Sequence, residues 1–298
     1  MNVSAWITAF RLRTLPLALS SVTMGGFLAA ERGKFDTAVF GLCCLTTILL
    51  QVLSNLANDY GDTVHGADHA GRSGPSRAVQ SGLISANAMQ KAIYLFVLMS
   101  LISGMTLLFV AFGSNLRLIA TFFGLGLLCI AAAILYTVGR KPYGYAGLGD
   151  LSVLIFFGGM GVTGSLYLFT QSLASGSLLP ALACGLFSVG VLNINNMRDI
   201  DSDRQAGKFS IPVRIGKEKA GWYHWFLLAG GLAAAILYVV MNYRSPVQWL
   251  FLLSLPVFVA IGTAVNRKPS EELDPYLKRM ALGTLLFVVL FGVGQLMA

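Results

Sequence analysis

Six of the 13 acidic residues in this chain fall in two short stretches, and their spacing is the first feature that could do chemistry. One stretch reads Asn55-Leu-Ala-Asn58-Asp59-Tyr-Gly-Asp62, with Asp68 further on; the other reads Asn195-Asn-Met-Arg198-Asp199-Ile-Asp201-Ser-Asp203. On a helix, Asn55, Asp59 and Asp62 stand at i, i+4 and i+7. Asn195, Asp199 and Asp203 stand at i, i+4 and i+8, so each set shares one face. Each stretch also closes an apolar run. Carboxylates crowded at the end of a membrane helix repel one another and lose water, and a cation relieves both costs. An oxygen-only donor set without His or Cys suits Mg²⁺, which takes few carboxylates and completes its shell with substrate phosphates. Either stretch alone reads equally well as a solvated helix end. The same Asn-xxx-Asp opening on two runs favours a shared metal role.

Basic residues accompany the acids. Arg77 follows Gly74-Pro75-Ser76 in the first loop, Arg140 and Lys141 follow the fourth apolar run, and Arg198, Arg204 and Lys208 lie in the second acidic region. Acids alone would bind any cation. Acids with converging Arg and Lys suit a metal diphosphate, whose oxygens both kinds of group can share. His65 and His69 stand four apart near Asp68 but lack a third convincing metal ligand.

The elements that must position these residues are membrane helices. Of 298 residues, 56% are apolar and only 11% charged, against roughly 25% charged in a soluble domain. Nine apolar runs approach the length of about 20 residues that a spanning helix needs. They are approximately Leu15–Ala30, Thr37–Ala57, Ala92–Phe112, Leu118–Tyr136, Leu151–Thr170, Leu179–Ile194, Trp225–Met241, Trp249–Val265 and Met280–Met297. The first and sixth are short and must borrow flanking residues. Alternating ten-residue segments, the mark of a membrane barrel, are not seen. With the N-terminus in the cytoplasm, 17 of the 21 Lys and Arg residues fall on the cytoplasmic side, leaving Arg32, Lys34, Arg117 and Arg244 opposite. This follows the positive-inside rule and fixes nine spans and an outside C-terminus together. The net charge of +8 therefore reflects topology, and the scattered basic residues exclude a nucleic-acid surface. Both long loops are cytoplasmic, so the chemistry is expected there. Cys43, Cys44, Cys129 and Cys184 lie inside apolar runs and read as small buried hydrophobes. The first run continues to full length, so it reads as a retained helix rather than a cleaved signal.

With these stretches and Tyr136-Thr-Val-Gly-Arg-Lys-Pro-Tyr-Gly-Tyr-Ala-Gly-Leu-Gly-Asp150, the chain resembles the UbiA-type membrane aromatic prenyltransferases over nearly its whole length. Asn-Asp-Tyr-Gly-Asp and Pro-Tyr-Gly-Tyr point to the branch that acts on a naphthoate. The resemblance implies an all-α integral membrane protein. Nine helices form one bundle, a single domain over 1–298, with a central cavity facing the cytoplasm of a bacterial inner membrane. It implies Mg²⁺ held by Asn55, Asp59 and Asp62 and by Asn195, Asp199 and Asp203, with Asn58 and Arg77, Arg140, Lys141, Arg198 and Lys208 around a polyprenyl diphosphate. Tyr136, Tyr143 and Tyr145 are candidates to face an allylic cation, and Asp150 either orients the acceptor or caps the fifth helix. The implied reaction joins the prenyl group to 1,4-dihydroxy-2-naphthoate with loss of CO₂ and diphosphate, giving demethylmenaquinol for menaquinone biosynthesis. Two departures stand out. Gly66 occupies a place where the wider family often has Asp, with Asp68 two later; and the family's Tyr-xxx-Lys pair falls on Arg140, with Lys141 one further on.

Rival readings are another aromatic acceptor such as 4-hydroxybenzoate, a cation-coupled transporter, and a phosphotransferase for nucleotide-linked alcohols. Transporter sites lie near the bilayer midplane, whereas these acids sit at helix ends. The Asp-Gly-xx-Ala-Arg run of the phosphotransferases is absent. No protein partner is indicated.

Overall fold

The structure is a computed structural model describing residues 3–68, 74–173 and 175–298. His69 and Arg72 lie outside the described residues. Within them the chain is helical without strands, and nine helices are long and apolar enough to cross a membrane. They run Val3–Glu31, Thr37–Val64, Ala86–Phe112, Leu116–Leu135, Gly149–Thr170, Leu178–Arg198, Lys217–Met241, Pro246–Arg267 and Asp274–Leu296, and are called here the first to ninth spans. Helices are the way for a backbone to satisfy its own polar groups in lipid. Their ends follow local chemistry. Asp36, Ser85 and Asn115 accept backbone N–H bonds from Val39, Ala88 and Leu118 at 2.9, 3.2 and 3.2 Å, the usual work of N-terminal caps. Gly113, at φ 57°, ends the third span, a conformation costly for a residue with a side chain.

The first span does borrow flanking residues, taking in Val3–Phe10. Its axis breaks at Arg11, whose φ of 49° is left-handed, and a 3₁₀ turn over Leu12–Thr14 leads into Leu15–Glu31. The second span continues past Ala57 to Val64, which places all of Asn55–Asp62 on helix. The sixth ends at Arg198; Asp199 leaves helical geometry at φ −97°, ψ 15°, and a short helix over Ile200–Gln205 follows. Helical register nevertheless survives the break, because Asp199 N–H donates to Asn195 O at 3.1 Å and Asp203 N–H to Asp199 O at 2.8 Å. The fifth span is wound as a π-helix over Leu154–Gly164, a geometry that is rare and clusters at functional sites.

Between helices in lipid, association rests on close packing rather than on a hydrophobic drive. Gly158 lies so near the sixth span that a Cβ there would stand 2.6 Å from Ala181 O. A core of Phe187, Phe251, Phe258, Phe287 and Phe291 locks the sixth, eighth and ninth spans together. A second cluster joins the first three spans through Ala5, Ala9, Leu53, Leu56, Met89 and Ile93. The fourth span is different: Ile119 is its one fully buried residue, and while Cys129, Ala132 and Ala133 line a central cavity, its outer side, including Leu127 and Leu128, is left for lipid.

Candidate active site

A cavity of about 720 Å³ runs through the bundle. Its apolar wall includes Leu17, Ala18 and Val22 of the first span and Phe156, Phe157 and Met160 of the π-helical segment. Its charged end is lined by Asn55, Asn58, Asp59, Asp62, Arg77, Asn195, Arg198 and Lys208. The two acidic stretches, well over a hundred positions apart, thus meet at one place. Asp62 and Asp199 both push the Asp203 carboxyl upward, which requires proximity.

The six acidic and amide groups play unequal parts. Asp62 is 6% exposed and accepts the Tyr145 hydroxyl at 2.9 Å. Asp203 is 3% exposed, and the Lys208 ammonium stands 3.3 Å from its Oδ1. Asp203 Oδ2 is buried and accepts no hydrogen bond. The carboxyl is pushed up to about 6 by burial first, with Asp199 and Asp62 adding to the shift and Lys208 opposing it. Burial pulls the Lys208 ammonium down, yet Asp203 and Asp62 outweigh it and hold the group above its ordinary value. Asp59 is already engaged: its two oxygens accept the backbone N–H groups of Ala78 and Val79, each at 3.1 Å. Asp199 receives the Arg198 guanidinium in a forked pair at 2.9 and 2.6 Å, and Arg198 also reaches Asn195 Oδ1 at 2.9 Å. Asn55 donates to Phe10 O at 2.9 Å and Thr14 Oγ1 at 3.1 Å, locking the second span to the break in the first.

These donors fit a hard divalent cation. They are carboxylate and amide oxygens, and one buried carboxylate oxygen is left without a partner. Among the described residues no three His, Cys, Asp or Glu side chains close into a metal site by themselves. Further oxygens have to come from a ligand, as is usual for Mg²⁺ at phosphate sites.

The segment between the fourth and fifth spans supplies the aromatic groups. Tyr136 and Tyr143 line the cavity, with their rings edge to face at 5.4 Å. Burial pushes both hydroxyls up. Tyr143 is held by bonds to Ala132 O at 2.9 Å and Ser152 Oγ at 3.0 Å. Tyr145 serves another purpose: it fixes Asp62 and lies 5.7 Å beneath the Lys208 ammonium. Its hydroxyl is raised by burial first and Asp62 second.

Thr137 grips the end of the second span, donating to Ala57 O and lying 3.1 Å from Asn58 Oδ1. This contact explains the glycine in Asn-Asp-Tyr-Gly-Asp: a Cβ on Gly61 would stand 2.5 Å from Thr137 O. Gly61→Ala is therefore expected to destabilise the protein by about 1–3 kcal/mol, the usual cost of overpacking, and to shift Asp59 and Asp62. Thermal unfolding of the purified chain checks this; an unchanged midpoint would mean that the two segments part freely.

Arg140 and Lys141 do not reach the cavity. The fourth span ends at Leu135, Gly139 takes φ 114°, and both basic side chains lie exposed. Their place after the fourth apolar run and the family's Tyr-xxx-Lys pair put them near the diphosphate; Lys208 stands at the charged end instead. Asp150 neither lines the cavity nor caps its helix. It accepts the Tyr223 hydroxyl at 2.8 Å and ties the fifth span to the seventh. Arg204 pairs with Asp201 at the surface, 3.6 Å away. Asp68 meets the Arg77 guanidinium at 3.3 Å. The His65 ring nitrogens face Gly61 O and Gly139 O, each at 2.9 Å. That bridges two segments and leaves no metal role for His65. Sequence reasoning missed Asp274, which receives Arg13 at 2.7 Å and Arg198 at 2.5 Å. Its only linear signal is an acid just before the last apolar run.

Apolar walls leading to a buried cluster of carboxylates, lysine and arginine define a polytopic membrane protein whose chamber suits an amphiphile with an anionic head. The chain belongs to the UbiA prenyltransferase family, whose model matches residues 18–285. It is 47% identical to a 1,4-dihydroxy-2-naphthoate octaprenyltransferase of Haemophilus influenzae, covering 99% of this chain and 96% of the relative. It is 45% identical to the Escherichia coli protein of the same name, covering 98% and 95%. Among solved structures, it superposes on a UbiA homologue from Archaeoglobus fulgidus bound to GPP and Mg²⁺. The TM-score is 0.67, the identity 16%, and the coverage 99% of this chain and 100% of that one.

Proposed function

We propose that the protein transfers a polyprenyl chain from its diphosphate to 1,4-dihydroxy-2-naphthoate, releasing CO₂ and diphosphate and giving demethylmenaquinol for menaquinone biosynthesis. The observation that carries the reading is the meeting of Asp62 and Lys208 at the charged end of the chamber, with the buried Asp203 paired to Lys208 just behind that wall. The near full-length relatives named for this reaction support the acceptor.

Asp62, which lines the cavity, and Asp203, with its unpartnered Oδ2, are best placed to hold Mg²⁺, with Asn55, Asp59 and Asn195 also on the cavity wall and Asp199 beside them. The archaeal homologue bound to GPP and Mg²⁺ supports this choice of metal. When bound, Mg²⁺ supplies positive charge to the diphosphate as it leaves. Lys208, Arg198 and Arg77 face the same anion and stabilise the charge that grows as the allylic C–O bond breaks. Tyr136 and Tyr143 offer ring faces to the carbon left electron-poor; the attraction of a cation to an aromatic face favours this state. Phe156, Phe157 and Met160 keep water from that carbon and accept the prenyl tail. The naphthoate carbon that bears the carboxylate then bonds the prenyl carbon, and the carboxyl group departs as CO₂.

In the same reading the whole chain, 1–298, works as one transmembrane domain in a bacterial inner membrane. Its N-terminus and active site face the cytoplasm and its C-terminus the other side. The Lys and Arg distribution supports that orientation.

The test is incubation of the purified chain with labelled polyprenyl diphosphate, Mg²⁺ and either dihydroxynaphthoate or 4-hydroxybenzoate. The expected result is a prenylated, decarboxylated naphthoate product that EDTA abolishes and added Mg²⁺ restores. Transfer to hydroxybenzoate alone would reassign the acceptor, and no transfer to either would overturn the reading.

A further inference from the structure

Behind the cavity wall, charges alternate in a chain that joins three spans far apart in sequence. Arg13, of the first span, donates through both terminal nitrogens to Asp274, at 2.7 and 3.1 Å. Asp274, in the first turn of the ninth span, also accepts Arg198 at 2.5 Å. Arg198, only 2% exposed, turns its remaining nitrogens to Asp199 and Asn195. Arg13 and Arg198 line the cavity; Asp274 does not. The order is therefore cation, anion, cation, anion, and the last anion belongs to the proposed metal-binding set.

We propose that Asp274 is a positioning residue that sets the affinity of the site for its divalent cation. It acts through Arg198 and Arg13, and the inference rests on the metal reading given above. Asp274 holds one end of the cavity-lining Arg198 guanidinium, which fixes the fork presented to Asp199 and the bond to Asn195 at the cavity wall. It also cancels one of two positive charges beside a site meant for a dication. Without its carboxylate, Arg13 and Arg198 lose the anion they share, and the added positive charge beside the site repels Mg²⁺. The opposite imbalance follows from removing Arg13, which leaves Asp274 with one cationic partner fewer and the site more negative. Structural damage alone would weaken binding in both variants; the electrostatic role makes the two changes opposite in sign and mutually cancelling.

The experiment uses the full chain in detergent with inorganic pyrophosphate and Mn²⁺ as the probe, reading bound Mn²⁺ by electron paramagnetic resonance. Asp274→Asn is expected to weaken Mn²⁺ binding by roughly 3- to 10-fold, as expected for one unit charge at partly screened range. Arg13→Gln is expected to tighten it about 3-fold, and the double variant to return near the wild-type value. Asp274→Glu keeps the charge and is expected to keep the affinity. Unchanged binding in both single variants, or weakening in both with a still weaker double variant, overturns the proposal. If Asp274→Asn does not fold, a failure of Arg13→Gln to tighten binding decides against it. Wild-type protein that binds no Mn²⁺ and transfers no prenyl group would overturn the metal reading itself. Wild-type protein that does both, with variants that do not shift, overturns this inference alone.

Discussion

Asp62→Asn should lower prenyl transfer by about 10²–10³-fold, the cost of losing one preorganised electrostatic contact to a transition state, while the protein still folds and enters the membrane. The asparagine keeps the size of the side chain and still offers an oxygen to the Tyr145 hydroxyl, so the local packing in which Tyr145 lies against His65 is preserved. What disappears is a negative charge that faces Asp203 and Lys208 across the charged end of the cavity. Asp62 is a cleaner choice than Asp59 or Asp199. Replacing Asp59 also loosens the loop bound through Ala78 and Val79, and replacing Asp199 breaks the fork on the buried Arg198, leaving it with Asp274. Product formation at saturating Mg²⁺, beside a thermal unfolding curve, checks the point. A variant with full activity would remove Asp62 from the metal set.

Lys208→Met carries the second large effect, and it acts on stability as well as rate. Lys208 is 5% exposed, and its ammonium is the cation nearest Asp203. Removing one partner of a buried ion pair costs about 3–5 kcal/mol, because the other charge stays behind without compensation. The metal-free variant should therefore unfold at a clearly lower temperature, and Mg²⁺ with pyrophosphate should recover part of the loss. Transfer should fall by about 10²-fold or more, since an oriented positive group at the leaving diphosphate is gone. Lys208→Arg keeps the charge but not the compact ammonium above Tyr145, so intermediate behaviour is expected. Rate and melting temperature measured across Met, Arg and wild type, with and without Mg²⁺, give the comparison. A Met variant as active and stable as wild type would show that Asp203 does not depend on this lysine.

The acidic positions were legible in the sequence because their meaning is local. Asn55, Asp59 and Asp62 share a face on any helix that continues past Ala57, and the second span does continue. Asn195, Asp199 and Asp203 keep their register even through the break at Asp199, since two successive backbone bonds span it. The apolar runs likewise locate the nine spans, missing mainly the polar ends that extend each helix. The rest depends on where the chain stops being regular. Arg140 and Lys141 follow the fourth apolar run in sequence, but the helix ends at Leu135 and the turn at Gly139, φ 114°, leaves both exposed, which proximity in sequence does not reveal. Asp274 was invisible because its partners are 76 and 261 positions away. The capture of both Asp59 oxygens by a loop was hidden as well: backbone donors carry no mark in the sequence. The π-helical winding at Leu154–Gly164 has no reliable signal beyond the glycines at 158, 159 and 161.

The unequal lengths of two neighbouring spans carry a last consequence. The fourth span has 20 residues, about 30 Å at 1.5 Å per residue, which matches a typical hydrocarbon core. The second span has 28 residues, or about 42 Å, and its capped start at Asp36 pins the far end near the opposite interface. The surplus of about 12 Å amounts to roughly eight residues, the stretch from Ala57 to Val64. In the orientation proposed above, this places the carboxylates of the helix at the level of the headgroups, where the ionic end of the proposed substrate is solvated, with its lipid tail immersed below. Bilayer thickness thus becomes a parameter of the reaction: a thicker membrane, or a more tilted helix, would draw the same acids back toward oil.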